Sequence, residues 1–337
     1  MAAQVLGSSM RMPSGSLVSH ETFLLDRLDP GDTYLDIDGV RVRGVPVFDA
    51  PATSGVTGVI GETIAIATLR PDAVYKGDYR RLREEAAHVG LVIVCQGTHP
   101  GLGLLNAEQF NTPYGAPAIH VVDPVSEGRP AHLVSNSVRT QATARNVVVI
   151  LKGTDPARKP VVVMTPRSSW WQATGERGGG IVCWLETLRA LLASPPACDV
   201  VLTANSGHEL GHLGLNDFIH RRPGWDQPGG AIWVDYGANI GASDGALSVV
   251  SPDDKMRVSM RDALAIVGRP PDTMAPKTLV PNGETRHIHK AGGRYVTLVG
   301  TNPWYHLRDD VWPHSVDLPA ITRIAEGAAR FVVELCR

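Results

Sequence analysis

The sequence predicts an α/β fold with a mostly parallel central sheet flanked by helices. From residue 138 onward, short apolar runs rich in β-branched residues alternate with longer amphipathic segments. Strands that alternate with helices in this way form parallel sheets covered on both faces. The chain has 337 residues, of which 43% are hydrophobic, so it can build a large core, and its length favours two domains over one.

The elements of this region follow one another in a regular order. The apolar runs predict strands at 147–151, 161–164, 200–204, 232–235 and 295–299. Apolar residues at helical spacing predict helices at 180–193, 210–220, 254–267 and 318–336. Ligands of such sheets bind beyond the carboxyl ends of the strands, so the residues that follow the strands are the candidates for a site.

Residues 32–135 differ in texture and predict a smaller, mixed α/β domain. Short β-branched runs are punctuated there by Gly and Pro, which is typical of strands joined by tight turns. The expected elements are strands at 33–37, 40–47, 58–69, 91–95 and 118–122 and a helix at 79–88 that ends at Gly90. We therefore divide the chain into an N-terminal segment (1–31) that packs on the larger domain, an inserted domain (32–135) and an α/β domain (136–337).

Composition argues against several classes of protein. The net charge is −2 without a basic patch, so a nucleic-acid partner is not expected. No stretch approaches the roughly 20 apolar residues of a membrane helix, and residues 1–19 lack the pattern of a signal peptide. The four cysteines are widely spaced and form no C-x-x-C pair. A reducing, cytoplasmic location is therefore expected.

Chemically reactive side chains follow four of the predicted strands. Carboxylates and imidazoles that converge from distant segments are how a zinc site with an open position is assembled. The residues at or after these strand ends are Arg167, Ser168, Trp170 and Trp171, then His208 and Glu209, then Asp235, and finally Tyr305 and His306.

The run from His208 to His212 also matches the H-E-x-x-H motif. On one helix, both histidines would bind zinc, with Glu209 as the base. Here the motif follows a strand closely, after Ser206 and Gly207, so we expect His208 to lie in a loop and His212 to pack on the helix that follows.

These segments resemble the zinc-dependent aminopeptidase family, which also includes glutamate carboxypeptidase and glutaminyl cyclase. The resemblance runs from about residue 144 to the C-terminus. It is carried by the entry strand at 144–155, the helix start at 180–186, the run Gly207-His208-Glu209-Leu210-Gly211-His212-Leu213-Gly214, the strand end Val234-Asp235-Tyr236-Gly237, and Tyr305-His306 with Asp309 or Asp310.

The inserted segment resembles a protease-associated domain. A helix that leads through Gly90 into a buried strand at 84–94, and a proline that precedes the next strand at 115–120, carry this resemblance. In the family, such insertions often border the substrate cleft.

The resemblance assigns three metal ligands to residues that this chain retains. The Glu ligand falls on Glu209, the second Asp on Asp235 and the last His on His306. The other positions are replaced. The first His falls on Thr165 and the bridging Asp on Gly175.

The catalytic base of the family falls on His208, and the Asp that orients the first His falls on Arg167. Imidazole titrates near neutrality, so His208 is chemically suited to act as a base. The resemblance thus implies at most one zinc ion, held by Glu209 and His306 together with Glu176 or His208.

Two arginines enter this site, and their role has two interpretations. Arg167 and Arg177 could take part in catalysis by binding a carboxylate of the substrate. Alternatively, each neutralises Glu176, Glu209 or Asp235 in place of a missing metal.

Four further residues are candidates for substrate binding. Trp170 and Trp171 either wall a pocket or pack in the core. Ser168 and Tyr305 complete this set.

The predicted function is a hydrolase, or a related acyl-transfer enzyme, that uses one zinc ion on a peptide-like or small amide bond. The expected partner is a small molecule or short peptide, and a homo-oligomer is left open. Two alternatives remain. One is a metal-free enzyme that uses His208 with Glu209, Asp235 or Arg177, and the other is a binding protein without catalysis.

Overall fold

The structure of the chain, a computed structural model, describes residues 17–85 and 87–337. Its strands are β1 Leu17–Ile37, β2 Val40–Arg43, β3 Val45–Pro46, β4 Thr53–Val59, β5 Ile64–Leu69, β6 Gly90–Cys95, β7 Ala118–Val121, β8 Pro130–Leu151, β9 Val161–Pro166, β10 Val200–Asn205, β11 Ile232–Tyr236, β12 Leu247–Val250, β13 Thr273–Met274 and β14 Arg294–Gly300. Its helices are α1 Gly77–Glu84, α2 Gly179–Ala193, α3 Leu213–His220, α4 Asp254–Ile266, α5 Thr285–Ala291 and α6 Leu318–Leu335.

The large sheet has ten strands in the order β13-β12-β14-β11-β9-β10-β8-β1-β2, with β4 paired to β8. The four central strands, β14, β11, β9 and β10, run parallel. Strands β8 and β12 join them antiparallel on either side. The predicted α/β class is thus confirmed, with the parallel pairing concentrated at the centre.

Helices cover both faces of the large sheet. Alternate residues of β9, such as Val161 and Val163, pack in one core with α2, α4 and α6. Their neighbours Val162 and Met164 pack in a second core with α3 and α5. This is why β9 is apolar throughout residues 161–164, because a strand buried on both faces does not alternate between apolar and polar residues.

Two long antiparallel strands, β1 and β8, connect the large sheet to the smaller one. Their pairing runs from Leu17 opposite Ile150 to Ile37 opposite Ala131, and the register shifts once, between Pro30 and Thr33. We call this pair the ribbon. It crosses the predicted boundaries at 31/32 and 135/136 without a break in either strand, and the division into three segments stays a prediction.

The second sheet has four strands in the order β3-β7-β6-β5. One side packs on the ribbon through residues such as Leu35, Val92 and Leu133, and the other packs against α1 through Tyr79. The protease-associated resemblance of this part remains an interpretation.

Several element boundaries differ from the prediction. Helix α1 ends at Glu84, since Glu85 is already extended, and Gly90 opens strand β6 instead of capping a helix. Helix α3 starts only at Leu213, because Gly211 and His212 adopt left-handed conformations (φ 78° and 61°).

Within 17–85 and 87–337, no helix is long and apolar enough to cross a membrane. Of the predicted N-terminal segment, residues 1–16 lie outside the described part of the chain.

Candidate functional site

A cavity of about 450 Å³ lies at the carboxyl ends of the central strands. The large sheet contributes polar side chains to its wall, and the small sheet and its connections close the opposite side. Leu279, Val280 and Pro281 supply apolar surface. The main polar residues on the side of the large sheet are His208, Asp235, Asn239, Glu284 and Tyr305. Those on the side of the small sheet are Arg70, Asp72, Tyr75 and Thr98. This is the edge of the sheet at which a site is expected from the sequence, and its use as a substrate cleft stays a prediction.

Beside this cavity, Arg177 is ion-paired with two of the predicted metal ligands. Its Nη2 lies 2.8 Å from Glu176 Oε1 and 2.7 Å from Glu209 Oε1. Its Nε donates to the carbonyl oxygen of Ser168 at 2.8 Å. All three charged side chains are at most 4% exposed. Burial lowers the pKa of Arg177, but the two carboxylates outweigh it and raise that pKa, so the guanidinium stays charged.

His306 completes the same cluster. Its Nε2 lies 3.3 Å from Glu176 Oε1, and its Nδ1 faces the carbonyl oxygen of Leu104 at 2.8 Å. Burial alone would raise the pKa of Glu176, but Arg177 and His306 outweigh it and hold that pKa at about 2. Glu176, Glu209 and His306 are thus brought together as predicted, but around an arginine.

A short π-helical turn, Thr174–Gly178, places Arg177 there. Asp310, itself buried, accepts the backbone N–H groups of Gly175 at 2.8 Å and Glu176 at 2.9 Å. A Cβ on Gly175 would lie only 2.6 Å from the carbonyl oxygen of Ser315 and 2.8 Å from Asp310 Oδ1. An aspartate at position 175, where the resemblance puts the bridging ligand, therefore has no room.

As placed, these residues do not fit a zinc ion. Zinc needs three or four unshared protein donors, and both carboxylates here already bind a cation that cannot lose its proton. In the described parts of the chain, no group of three or more His, Cys, Asp or Glu side chains is arranged to hold a metal.

Asp235, the third retained ligand position, has different partners. Thr285 Oγ1 donates to its Oδ2, and its Oδ1 has no hydrogen-bond partner among the described residues. Burial, with a smaller contribution from Glu284, raises the pKa of Asp235 to about 7.

His208 forms a buried pair with Glu284. Its Nδ1 lies 3.3 Å from Glu284 Oε1, and Asn205 Nδ2 donates to Glu284 Oε2 at 2.7 Å. Burial, aided by Arg177, lowers the pKa of His208 to about 4, and burial raises the pKa of Glu284 to about 7. Near neutral pH, the imidazole is therefore uncharged.

The H-E-x-x-H interpretation is wrong. His208 and Glu209 lie in a 3-10 turn, His208–Leu210, and His212 precedes helix α3, so the motif does not form one helical face. His212 Nδ1 instead pairs with His287 Nε2 at 2.9 Å.

Arg167 and Ser168 take different places from each other. Arg167 turns away from the carboxylates and bonds to Ser206 Oγ and the carbonyl oxygen of Arg145, both at 3.0 Å. Ser168 Oγ donates to Glu209 at 2.7 Å and accepts the backbone N–H of His208 at 3.0 Å.

The predicted aromatic residues also separate. Trp170 packs on Phe48, with ring centroids 4.5 Å apart, and neither it nor Trp171 lines the cavity. Tyr305 does line the cavity, and its ring stacks on His306 at 4.0 Å. The functional roles assigned to these residues stay predictions.

Sequence reasoning missed Glu284 and its neighbours. Glu284 follows Gly283, whose φ is 69°, and precedes α5, which carries Thr285 and His287. One signal was available, since an acid, a threonine and two histidines (His287 and His289) occur within six residues just before a buried strand.

No family model and no curated protein matches the sequence. Solved structures do match. A zinc aminopeptidase from Bacillus subtilis superposes with a TM-score of 0.76 at 18% identity, over 95% of this chain and 85% of that one. An aminopeptidase from Aneurinibacillus sp. strain AM-1 gives 0.68 at 14% identity, over 95% and 84%. A peptidase M28 precursor from Shewanella amazonensis gives 0.65 at 15% identity, over 99% and 85%. The chain therefore has the zinc aminopeptidase-like fold that its sequence predicted.

Proposed function

We propose that this protein hydrolyses, or transfers the acyl group of, a peptide-like or small amide substrate without a zinc ion. The pair formed by His208 and Glu284 at the wall of the cavity carries the proposal. The substrate class rests on the likeness to structures named as aminopeptidases and a peptidase. The single zinc expected from the resemblance is not part of the proposal, because Arg177 engages its ligands.

In this proposal His208 is the general base. Glu284 holds Nδ1, which leaves Nε2 to accept a proton from a water molecule. The water oxygen forms a bond to the carbonyl carbon, and the carbonyl oxygen becomes an oxyanion. His208 then returns the proton to the leaving nitrogen as the carbon–nitrogen bond breaks. The Glu284 carboxylate stabilises the transient imidazolium.

Tyr305 is the candidate donor to the oxyanion. Burial raises the pKa of its hydroxyl well above the ordinary value, so it stays a neutral donor at the cavity wall. Arg177 lies behind this wall, where its ion pairs with two carboxylates neutralise its charge. It therefore supports the site without contacting substrate.

The test is a chelator-resistant activity that depends on His208. We would screen aminoacyl anilides and short peptides with free and blocked ends against protein incubated with and without 1,10-phenanthroline. We expect turnover to survive the chelator and to fall about 10²- to 10⁴-fold in His208→Ala. His220→Ala, at an exposed histidine, is the control and should keep full activity. Activity that the chelator abolishes, or that His208→Ala retains, would refute the proposal.

A binding protein without catalysis is the second candidate. It is favoured by Glu209, which occupies the family's metal-ligand position but bonds to Arg177 and Ser168. A peptide that binds by calorimetry, is displaced by a second peptide and stays intact over days would select this alternative.

A further inference from the structure

We infer that Arg177 is a built-in replacement for a metal ion, and that removing its side chain creates a zinc site from Glu176, Glu209 and His306. This inference concerns the architecture of the cluster and does not depend on the proposed activity. One atom, Arg177 Nη2, contacts both carboxylates, at 2.8 Å from Glu176 Oε1 and 2.7 Å from Glu209 Oε1.

The two buried carboxylates of the cluster need a positive charge beside them. Two carboxylates at most 3% exposed cannot remain buried without a cation, because their desolvation is not repaid otherwise. Arg177 is the cation that contacts both of them. Without the guanidinium, the cluster would attract either protons or a metal ion.

Two donor atoms of the cluster are left without a hydrogen bond among the described residues. His306 Nε2 and Glu176 Oε1 are both buried and lack a hydrogen bond of good geometry. His306 Nδ1 is fixed on the carbonyl oxygen of Leu104, which directs Nε2 into the cluster. A backbone carbonyl that holds the far nitrogen of a histidine is the usual support of a metal-bound imidazole.

The outer oxygens of both carboxylates are already held by serine hydroxyls. Ser168 Oγ donates to Glu209 Oε2 at 2.7 Å, and Ser169 Oγ donates to Glu176 Oε2 at 3.0 Å. Each carboxylate thus keeps one oxygen toward Arg177. Zinc bonds are about 2.0–2.2 Å long, so the two carboxylate oxygens, which lie 2.8 Å and 2.7 Å from Nη2, need to move inward by less than about 1 Å. His306 Nε2 lies 3.3 Å from the same Glu176 Oε1 and is the third donor.

The experiment measures zinc binding, not catalysis. Wild-type protein, Arg177→Ala and the control Arg167→Ala would be dialysed against zinc and then against buffer, and the metal counted by mass spectrometry. Arg167 is a suitable control because it lies after the same strand but bonds to Ser206 and Arg145. We expect about one zinc per chain in Arg177→Ala only, as three protein donors with an open position predict.

Thermal unfolding gives a second readout. Zinc at about 100 times its dissociation constant should raise the melting temperature of Arg177→Ala by about 4 °C and leave wild type unchanged. Adding Glu209→Ala to Arg177→Ala should abolish both the metal and the shift.

Two results with the wild-type protein or single substitutions would overturn the inference. The first is a folded Arg177→Ala protein that takes up no zinc. The second is wild-type protein that holds one zinc lost on Glu209→Ala. If Arg177→Ala does not fold alone, it is refolded with zinc, and recovery only with the metal supports the inference.

A third result that would overturn the inference comes from Arg177→Met combined with Glu176→Gln and Glu209→Gln, which removes the guanidinium together with both carboxylates that it contacts. We expect this variant to fold without zinc and to bind none. Its failure to fold would show that Arg177 is needed for something other than its charge, and so would contradict the replacement of a metal ion.

Discussion

Substituting Glu284 by Gln should make the stability of the protein less dependent on pH. Glu284 is 2% exposed and is held between Asn205 Nδ2 and His208 Nδ1. Glutamine has the shape of the protonated acid, with an oxygen for Asn205 and an NH₂ group for His208. The variant therefore fixes the site in the protonated state, which wild type reaches as the pH falls below about 7.

The magnitude follows from the pKa of Glu284, which burial raises from 4.5 to about 7. A carboxyl group whose pKa is higher in the folded state stabilises the fold fully below the unfolded value, and this stabilisation is lost as pH rises through the folded value. For Glu284 the window runs from about pH 4.5 to about pH 7. The loss is about 3 kcal/mol by pH 8.5.

Urea denaturation followed by tryptophan fluorescence at pH 5, 7 and 8.5 measures this effect. We expect the difference in unfolding free energy between Glu284→Gln and wild type to grow by about 3 kcal/mol, in favour of the variant, from pH 5 to pH 8.5. Glu62→Gln, at an exposed glutamate, should leave the wild-type pH dependence unchanged. Parallel curves for Glu284→Gln and wild type would refute the reasoning.

Three further predictions concern the turn and the cavity. Asp310→Ala should lower the unfolding free energy by about 2–4 kcal/mol, because two buried backbone N–H groups lose their acceptor, whereas the exposed Asp309→Ala should cost under about 0.5 kcal/mol. Gly175→Ala should cost about 1–3 kcal/mol, since its Cβ would meet a carbonyl oxygen at 2.6 Å, whereas Gly77→Ala, with no atom within 4 Å, should be neutral or stabilising by urea denaturation. Tyr305→Phe should lower kcat by about 10- to 100-fold with little change in KM if its hydroxyl binds the oxyanion, and an equal rise in KM instead would contradict that role.

The central sheet was predictable because its strands are buried on both faces. Runs such as 161–164 are apolar at every position, and only a strand between two layers of helices needs that pattern. The full length of the two ribbon strands, β1 and β8, was not predicted. In β1, residues 19–25 alternate between half-buried and exposed, and polar residues occupy much of the run, so no apolar signal marks the strand.

The sequence predicted where the candidate site lies but not which of its side chains contact one another. The strand ends brought Glu209 and His306 into one cluster, as expected. Which arginine would enter it depends on the turn Thr174–Gly178, whose geometry is set by contacts to Asp310 from the far end of the chain. The sequence offered Arg167 and Arg177 equally, and no local pattern separates them.

The ribbon also limits how the two sheets can move relative to each other. The two walls of the cavity are joined by paired strands and not by a loose linker, since hydrogen-bonded pairing runs from Leu17 to Ile37. Paired strands resist twisting and hinge motion but bend at irregularities, and this ribbon has one between Pro30 and Thr33. A change in the spacing of the two walls therefore requires this ribbon to bend, and its register shift is where bending is easiest.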